Sequence, residues 1–224
     1  MKENEKMARL RVWDLPTRLF HWLLVIAVVG LIITGNLGGA WMTSHFRLGY
    51  AVLALLLFRL GWGFVGGYWS RFSQFIYSPL TLLRYLRGQS MPEHELGHSP
   101  TASLSVFALL LVLSVQVVSG LLSDDEIAFT GPLSRFAPSE WVSLATAYHA
   151  EWGKLVLIGL VVLHLLAVGY YKWVRKTSIV AAMITGDKTT DLLQPASRDG
   201  LAQRALALLL AIGCVAIAAF VASL

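Results

Sequence analysis

Histidines inside long apolar segments are the residues of this sequence best suited to chemistry. His149 and His164 lie 15 residues apart in the apolar segment 148–174. On an uninterrupted α-helix this spacing is roughly 22 Å along the axis and about 60° around it, so both side chains can face the same side of a helix bundle. A histidine in lipid is costly and marks a candidate functional site. Two of them at different depths indicate two stacked metal or haem sites.

Two further histidines supply partners at matching depths. His45 begins one apolar segment at its outer end, where His149 also lies, and His21 lies in the inner half of another segment, as does His164. Two neutral imidazoles fill both axial positions of a haem iron, which favours electron transfer over oxygen binding. The spacing therefore predicts two bis-histidine haems. A single membrane histidine is often a residue that hydrogen-bonds a neighbouring helix, but four at two matched depths favour haem ligands. Zinc or di-iron would need carboxylates facing the core, which the spans lack.

The arginines near these histidines are candidates to bind haem propionates, which are anionic. Arg18 and Arg59 are placed for the inner haem, and Arg47, two residues after His45, is placed for the outer one. His94 and His98 stand in a polar turn, where we expect His94 to be solvated. The sequence offers no residue for bond-making catalysis beyond electron and proton exchange.

Membrane helices are predicted to carry these side chains. Of the 224 residues, 56% are hydrophobic and only 14% are charged, whereas soluble domains average about 25% charged. Five uncharged runs are long enough to cross a bilayer: 19–37, 46–65, 102–122, 153–171 and 205–224. The sequence thus predicts an all-α integral membrane protein, with a four-helix transmembrane bundle that binds two b haems and a fifth C-terminal transmembrane helix.

Domain boundaries follow from these runs. We expect an N-terminal tail at 1–17, a four-helix core at 18–175, an interfacial segment at 176–203 and the fifth transmembrane helix at 204–224. No small-residue cleavage site follows the first run, so we interpret that run as an anchor. The fifth run has no polar anchor beyond Ser223 and is expected to pack against the others or a partner.

Orientation follows from the lysines and arginines, which favour the cytoplasmic side. They are concentrated in the N-terminal tail, including Lys2 and Lys6, and in the segments after the second and fourth runs. The N-terminus is therefore predicted to be cytoplasmic and the C-terminus periplasmic. The same bias explains the net charge of +5 without a nucleic-acid partner. A single cysteine, Cys214, excludes disulfides, iron–sulfur clusters and thiolate zinc sites within the chain.

Local signals predict the connecting elements. Asp14 and Pro16 indicate a helix start, preceded by irregular chain up to Trp13. Residues 78–87 and 178–185 are amphipathic or short apolar stretches expected to form interfacial helices. Residues 123–147 are predicted to be an outer loop, and residues 189–199 are predicted to be a loop.

Taken together, the motifs resemble those of the bacterial cytochrome b-561 family, in particular its branch with the cytochrome b subunits of nickel–iron hydrogenases. The resemblance extends from Val12 to Lys188 and rests on WDLPTRLFHW, HFRLGYAVLALLLFRLGWGF, GHSP, SGLLSDDEIAFTGPL, YHAEWGKLVLIGLVVLHLL and SIVAAMITGDK. The family pattern implies that His21, His45, His149 and His164 ligate two b-type haems. It pairs the first span with the fourth and the second with the fourth. The resemblance gives His98 no ligand role.

The resemblance also implies a bacterial inner-membrane location and electron exchange between membrane quinone and a periplasmic redox protein, such as a hydrogenase or a c-type cytochrome. One alternative is a superoxide:quinone oxidoreductase, and another is a haem-bearing membrane anchor without its own quinone site. The predicted outer loop carries four acids and one arginine, a net charge of −3. That charge favours docking of a basic cytochrome over attraction of the superoxide anion.

Overall fold

The computed structural model describes residues 8–224, so the part of the predicted tail that contains Lys2 and Lys6 lies outside the described residues. Long helices dominate the described chain, and five helical stretches are long and apolar enough to cross a membrane. These are α1 (Leu15–Leu37), α2 (Met42–Val65), α4 (Pro100–Leu122), the stretch Ser139–Trp173, and α8 (Leu201–Ser223). The predicted all-α membrane fold with five spans is confirmed.

The start of α1 follows the predicted signal. Asp14 Oδ1 accepts a hydrogen bond from the backbone N–H of Thr17 at 2.8 Å, which is the geometry of an N-cap. Pro16 fits the first turn because the N–H that it lacks would have no partner there. After Leu37 the chain reverses through Gly38 and Gly39, whose φ angles of 61° and 52° favour glycine.

The fourth span is longer than predicted. Helix α5 (Ser139–Ala147) continues through a π-helical turn (Tyr148–Gly153) into α6 (Lys154–Trp173). The interpretation of residues 123–147 as loop is therefore wrong for its last nine residues, which form α5. His149 lies within the π-helical turn and not near the helix start. Pro138 at the N-cap begins this helix, and the extra residue of the π turn changes the angular position of His149 from that on a regular α-helix.

The described chain divides into two compact units. The first contains the described residues up to Leu19, together with Leu60–Val106 and His164–Ala207. The second contains Phe20–Arg59, Phe107–Leu163 and Leu208–Leu224.

The first unit contains a small antiparallel sheet that the sequence did not predict. Strand β1 (Ala8–Arg11) pairs with β2 (Asp187–Thr190), with Leu10 opposite Lys188. The expectation of irregular chain up to Trp13 is therefore wrong at β1, and that of a loop from residue 189 is wrong at its start. In a four-residue strand the alternation of apolar and polar residues is too short to be recognised. The pairing of β1 with β2 also joins segments that are distant in sequence.

The core of the first unit forms beside this sheet. Val12 and Trp13 are buried against Trp69, Leu96 and Ala182. The neighbouring Asp14 side chain is also fully buried, and it accepts three further hydrogen bonds besides that from Thr17. Their donors are Trp62 Nε1 at 3.2 Å, the Gly67 N–H at 3.0 Å and Ser70 Oγ at 2.7 Å.

Two short helices of the first unit lie where the sequence predicts them. Helix α3 (Pro79–Leu86) begins after Ser78, whose Oγ accepts a hydrogen bond from the Thr81 N–H at 3.1 Å. Helix α7 (Ile179–Thr185) ends at Gly186, whose φ of 91° gives a left-handed C-cap. The predicted interfacial helices are thus confirmed as helices.

Lys188 in β2 gives a prediction for the pH dependence of stability. Its ammonium donates to the Glu95 carbonyl oxygen at 2.6 Å, and burial lowers the pKa of Lys188 to about 8, against the opposing charge of Glu95. The pKa of lysine in an unfolded chain is about 10.4. At pH values between these two pKa values the unfolded chain binds more protons than the folded chain, so the free energy of unfolding rises with pH. We expect Lys188→Met to abolish this contribution in thermal unfolding measured from pH 7 to pH 10.

The control for this experiment is Lys176→Met, because the Lys176 side chain is exposed. This variant should keep the pH dependence of the parent protein. An identical pH profile for Lys188→Met and the parent would contradict the prediction.

The second unit packs α1, α2, α4 and α6 around an apolar core. The core residues are Ala27, Val28, Val52, Leu56, Leu113 and Leu157. Large apolar side chains are exposed on the outward faces of these helices and of α8, for example Ile26 of α1 at 67% and Phe220 of α8 at 64%. Such faces suit contact with lipid, where every backbone polar group must be satisfied within the helix.

Candidate functional site

The candidate site of the second unit is built around two of the four predicted histidines. His45 is the fourth residue of α2, and His149 lies in the π-helical turn before α6. Their imidazole centroids are 6.0 Å apart, and the ring planes meet at 86°. The structure therefore brings together the pair that the sequence predicted for the outer haem.

Backbone carbonyls fix the orientation of both rings. His149 Nδ1 lies 2.8 Å from the Gln116 carbonyl oxygen, and His45 Nδ1 lies 3.1 Å from the Leu31 carbonyl oxygen. Because a carbonyl only accepts, each Nδ1 carries the proton and donates it. Each Nε2 is then left with a lone pair, which is the form in which imidazole binds a metal.

A cavity of about 320 Å³ lies beside the two rings. Its walls are mainly apolar and include Val28, Leu31, Ile32, Val52, Leu113, Val117 and Leu157. Three glycines, Gly35, Gly49 and Gly120, also line it. A Cβ added at Gly49 would meet no atom within 4 Å, so the wall is open there. Apolar walls with few polar groups are typical of cofactor sites.

The separation of the two imidazoles fits a metal-centred macrocycle held between them. An imidazole–metal bond is about 2 Å long, so two opposed imidazoles on one metal ion have centroids roughly 6 Å apart. The separation of His45 and His149 agrees with this value. Their donor set, two neutral imidazoles in apolar surroundings, is one that b-type haem uses.

Comparison with known proteins decides the family. The family described as prokaryotic cytochrome b561 matches residues 12–186 of the chain. The chain belongs to the prokaryotic cytochrome b561 family. The resemblance inferred from the motifs is thereby confirmed.

Proteins similar to this chain have names that agree with its membership of the cytochrome b561 family. A probable Ni/Fe-hydrogenase 1 B-type cytochrome subunit of Escherichia coli (strain K12) is 25% identical over 147 residues, which is 53% of this chain and 62% of that subunit. Probable Ni/Fe-hydrogenase B-type cytochrome subunits of Bradyrhizobium diazoefficiens and Rhodobacter capsulatus are 24% and 25% identical. These two matches cover 79% and 80% of this chain, and 85% and 80% of the relatives.

Membership of the cytochrome b561 family, together with five apolar helices, establishes the location of the chain. It is a multi-pass protein of the bacterial inner membrane and a member of a family of b-type cytochromes.

The other two predicted ligands of this cytochrome b561 family member lie in different units. His21 belongs to the second unit and His164 to the first. The His21 ring packs edge-on against Trp22, with centroids 5.0 Å apart, and both histidines are half-buried. Their pairing at an inner haem stays a prediction.

The predicted arginines differ in their surroundings. Arg18, in the first unit, donates to the Ile184 carbonyl oxygen at 2.6 Å and lies 3.9 Å from Asp199. Arg59, in the second unit, is only 3% exposed. Arg47 has an exposed side chain. Among the described residues, the cation that lines the cavity beside His45 and His149 is Lys154.

Lys154 is a functional candidate that sequence reasoning missed. It follows His149 by five residues and begins α6 directly after the π-helical turn. Its signal in the sequence is a lysine at the edge of an apolar run, whereas only arginines were predicted to bind propionates.

The remaining histidines pack inside the first unit. His94 is buried, and its Nδ1 accepts the Met91 N–H at 3.2 Å, so the expectation of a solvated His94 is wrong. The turn Pro92–Glu95 folds the ring inward against Tyr77 and Tyr85. The His98 ring packs between Trp13 at 4.7 Å and Phe75 at 4.3 Å.

The acidic loop at 123–138 contributes to the cavity wall. Asp125 and Phe129 both line the cavity, and the Phe129 ring lies 6.1 Å from that of Phe46. Asp125 Oδ1 accepts hydrogen bonds from the N–H groups of Phe129, Ala128 and Ile127. These hydrogen bonds lower the pKa of the Asp125 carboxyl, and the bond from Phe129 contributes most. The loop is therefore held in a defined turn by an ionised aspartate.

Proposed function

We propose that this chain transfers electrons across the membrane through two b haems, each held by two histidines. His45 and His149 would hold one haem, and His21 and His164 the other. The observation that carries the proposal is the geometry of His45 and His149, whose rings have the separation of two axial ligands and whose Nδ1–H groups are bound to carbonyls.

The residues of the chain would perform distinct tasks in this function. His45 and His149 would hold the haem iron from both sides, so that neither oxygen nor substrate would reach it. The apolar walls exclude water, and Lys154 would neutralise a propionate. Arg18 and Arg59 are proposed for the inner haem and Arg47 for the outer one, as the sequence predicted. The haems supply reversible one-electron chemistry when bound.

The distribution of charged residues supports a proposed orientation of the chain in the membrane. The basic segments favour an N-terminus in the cytoplasm and a C-terminus in the periplasm. The loop that lines the His45 and His149 cavity would then face the periplasm, where it presents, together with α5, a net charge of −3 over residues 123–147. We propose that quinone exchanges electrons with this chain and that a periplasmic redox protein docks near this loop.

The relatives suggest what that partner is. Several are named as B-type cytochrome subunits of nickel–iron hydrogenases. A hydrogenase is therefore the first partner to test for this chain, and a basic c-type cytochrome is the second because it complements the acidic loop.

Haem extraction and a redox titration of the purified protein test the proposal. We expect two dissociable haems per chain, low-spin spectra in both oxidation states, and reduction of both haems by added quinol. A single haem, or a high-spin spectrum that shows an open axial position, would refute the bis-histidine arrangement. Haem reduction by superoxide at a diffusion-like rate would instead support the superoxide:quinone alternative. Failure of quinol to reduce the haems would support an anchor without a quinone site.

A further inference from the structure

Two helices of the second unit present the same three-residue arrangement to the two histidine rings. Each supplies a carbonyl oxygen, a hydroxyl three residues later and a glycine one residue after that. On α1 these residues are Leu31, Thr34 and Gly35, which we call the His45 cradle. On α4 they are Gln116, Ser119 and Gly120, which we call the His149 cradle.

The distances in the two cradles correspond. His45 Nδ1 lies 3.1 Å from the Leu31 carbonyl oxygen and 3.3 Å from Thr34 Oγ1. His149 Nδ1 lies 2.8 Å from the Gln116 carbonyl oxygen and 3.4 Å from Ser119 Oγ. Thr34 and Ser119 are both buried, at 6% exposure. Each imidazole N–H therefore meets one carbonyl acceptor and one hydroxyl oxygen on a neighbouring helix.

The glycines give each ring access to its carbonyl. A Cβ at Gly120 would lie 2.7 Å from His149 Cε1 and 3.0 Å from its Nδ1. A Cβ at Gly35 would lie 3.0 Å from His45 Cε1 and 3.2 Å from its Nδ1. Any other residue at either position would push the ring away from the helix. A helical carbonyl has a second lone pair, which the ring can reach only because the glycine leaves room.

We propose that the two cradles are positioning elements that hold His45 and His149 with their planes at right angles on the outer haem. This proposal rests on the proposed binding of a haem between these two residues. Each cradle fixes its ring by the Nδ1–H bond and by the glycine surface against Cε1 and Nδ1. Because the cradles lie on different helices, the two ring planes are set independently, and they meet at 86°.

The hydroxyls also bear on the electron affinity of the haem. Thr34 Oγ1 donates its hydrogen to the Gly30 carbonyl oxygen at 2.7 Å, so its lone pairs face the Nδ1–H of His45. Acceptors on the far side of a ligating imidazole make the ligand more basic. A more basic ligand stabilises ferric iron and lowers the reduction potential. Thr34→Val, which keeps the shape and removes the acceptor, should raise the potential of one haem and leave the other unchanged.

Electron paramagnetic resonance of the oxidised holoprotein tests the angle. Perpendicular axial imidazoles give a highly anisotropic low-spin signal, whereas rotation towards parallel planes gives a rhombic one with a smaller largest g value. We expect one such anisotropic signal from the parent, and we expect Gly120→Ala and Gly35→Ala to shift it towards the rhombic form. Loss of that haem in these variants supports the proposal equally, since the added Cβ takes the place of the ring.

Gly159→Ala is the matched control, because a Cβ at this glycine of α6 would meet no atom within 4 Å. It should leave both signals and both potentials unchanged. Unaltered spectra in Gly120→Ala and Gly35→Ala, together with an unaltered potential in Thr34→Val, would overturn the cradles while the haem between His45 and His149 stands. A His45→Ala variant that keeps both haems would instead overturn the proposed function itself.

Discussion

His45→Ala and His149→Ala are each expected to remove the same haem and to leave the other bound. In the structure the centroids of the two rings are 6.0 Å apart, which is roughly the separation of two imidazoles on one metal ion, and the Nδ1 of each ring is bonded to a backbone carbonyl. Loss of either ring would leave the haem with only one ligand from the chain. We expect the haem content to fall from two per chain to one, measured by haem extraction, with the same absorbance and potential missing in both variants.

The complementary variants complete this experiment. His21→Ala and His164→Ala should both lose the other haem, which makes four single variants fall into two spectral classes. His94→Ala is the matched control, because His94 is a buried histidine whose Nδ1 accepts a backbone N–H within the first unit and which has no proposed ligand role. It should keep both haems. Loss of different haems by His45→Ala and His149→Ala would contradict the pairing.

The features that the sequence predicts well are those encoded by long or strictly local patterns. Five spans follow from runs of about 20 apolar residues, which few other structures require. The N-cap at Asp14 and the short helices α3 and α7 depend on neighbours within four residues. The proximity of His45 and His149 followed from equal depth in the membrane, a constraint that soluble proteins lack.

The features that the sequence does not predict depend on contacts between distant segments or on small changes of helix geometry. The sheet of β1 and β2 joins the two ends of the first unit, and no local pattern announces it. The π-helical turn at His149 adds one residue to a helix without any change in composition. Gly35 and Gly120 look like ordinary small residues of membrane helices until the structure places an imidazole against each.

Asp14→Ala is expected to destabilise the first unit severely. The carboxylate of Asp14 is fully buried and accepts hydrogen bonds from Thr17 N–H, Trp62 Nε1, Gly67 N–H and Ser70 Oγ. Alanine would leave these donors without their acceptor, and Trp62 and Gly67 are themselves buried, so water cannot replace it. Each buried unsatisfied donor costs about 1–3 kcal/mol, so we expect a loss of roughly 3 kcal/mol or more in the free energy of unfolding.

Thermal unfolding in detergent, followed by helical circular dichroism, measures this loss. Asp14→Asn should be intermediate, because the amide keeps one acceptor oxygen but turns two hydrogens towards groups that are themselves donors. Gly67→Ala should also destabilise, since its Cβ would clash with Asp14 Oδ2. Asp191→Ala, at an exposed aspartate of the same unit, should unfold like the parent. If Asp14→Ala unfolds at the same temperature as Asp191→Ala, the buried carboxylate is not what holds α1 to the chain around Gly67 and Ser70.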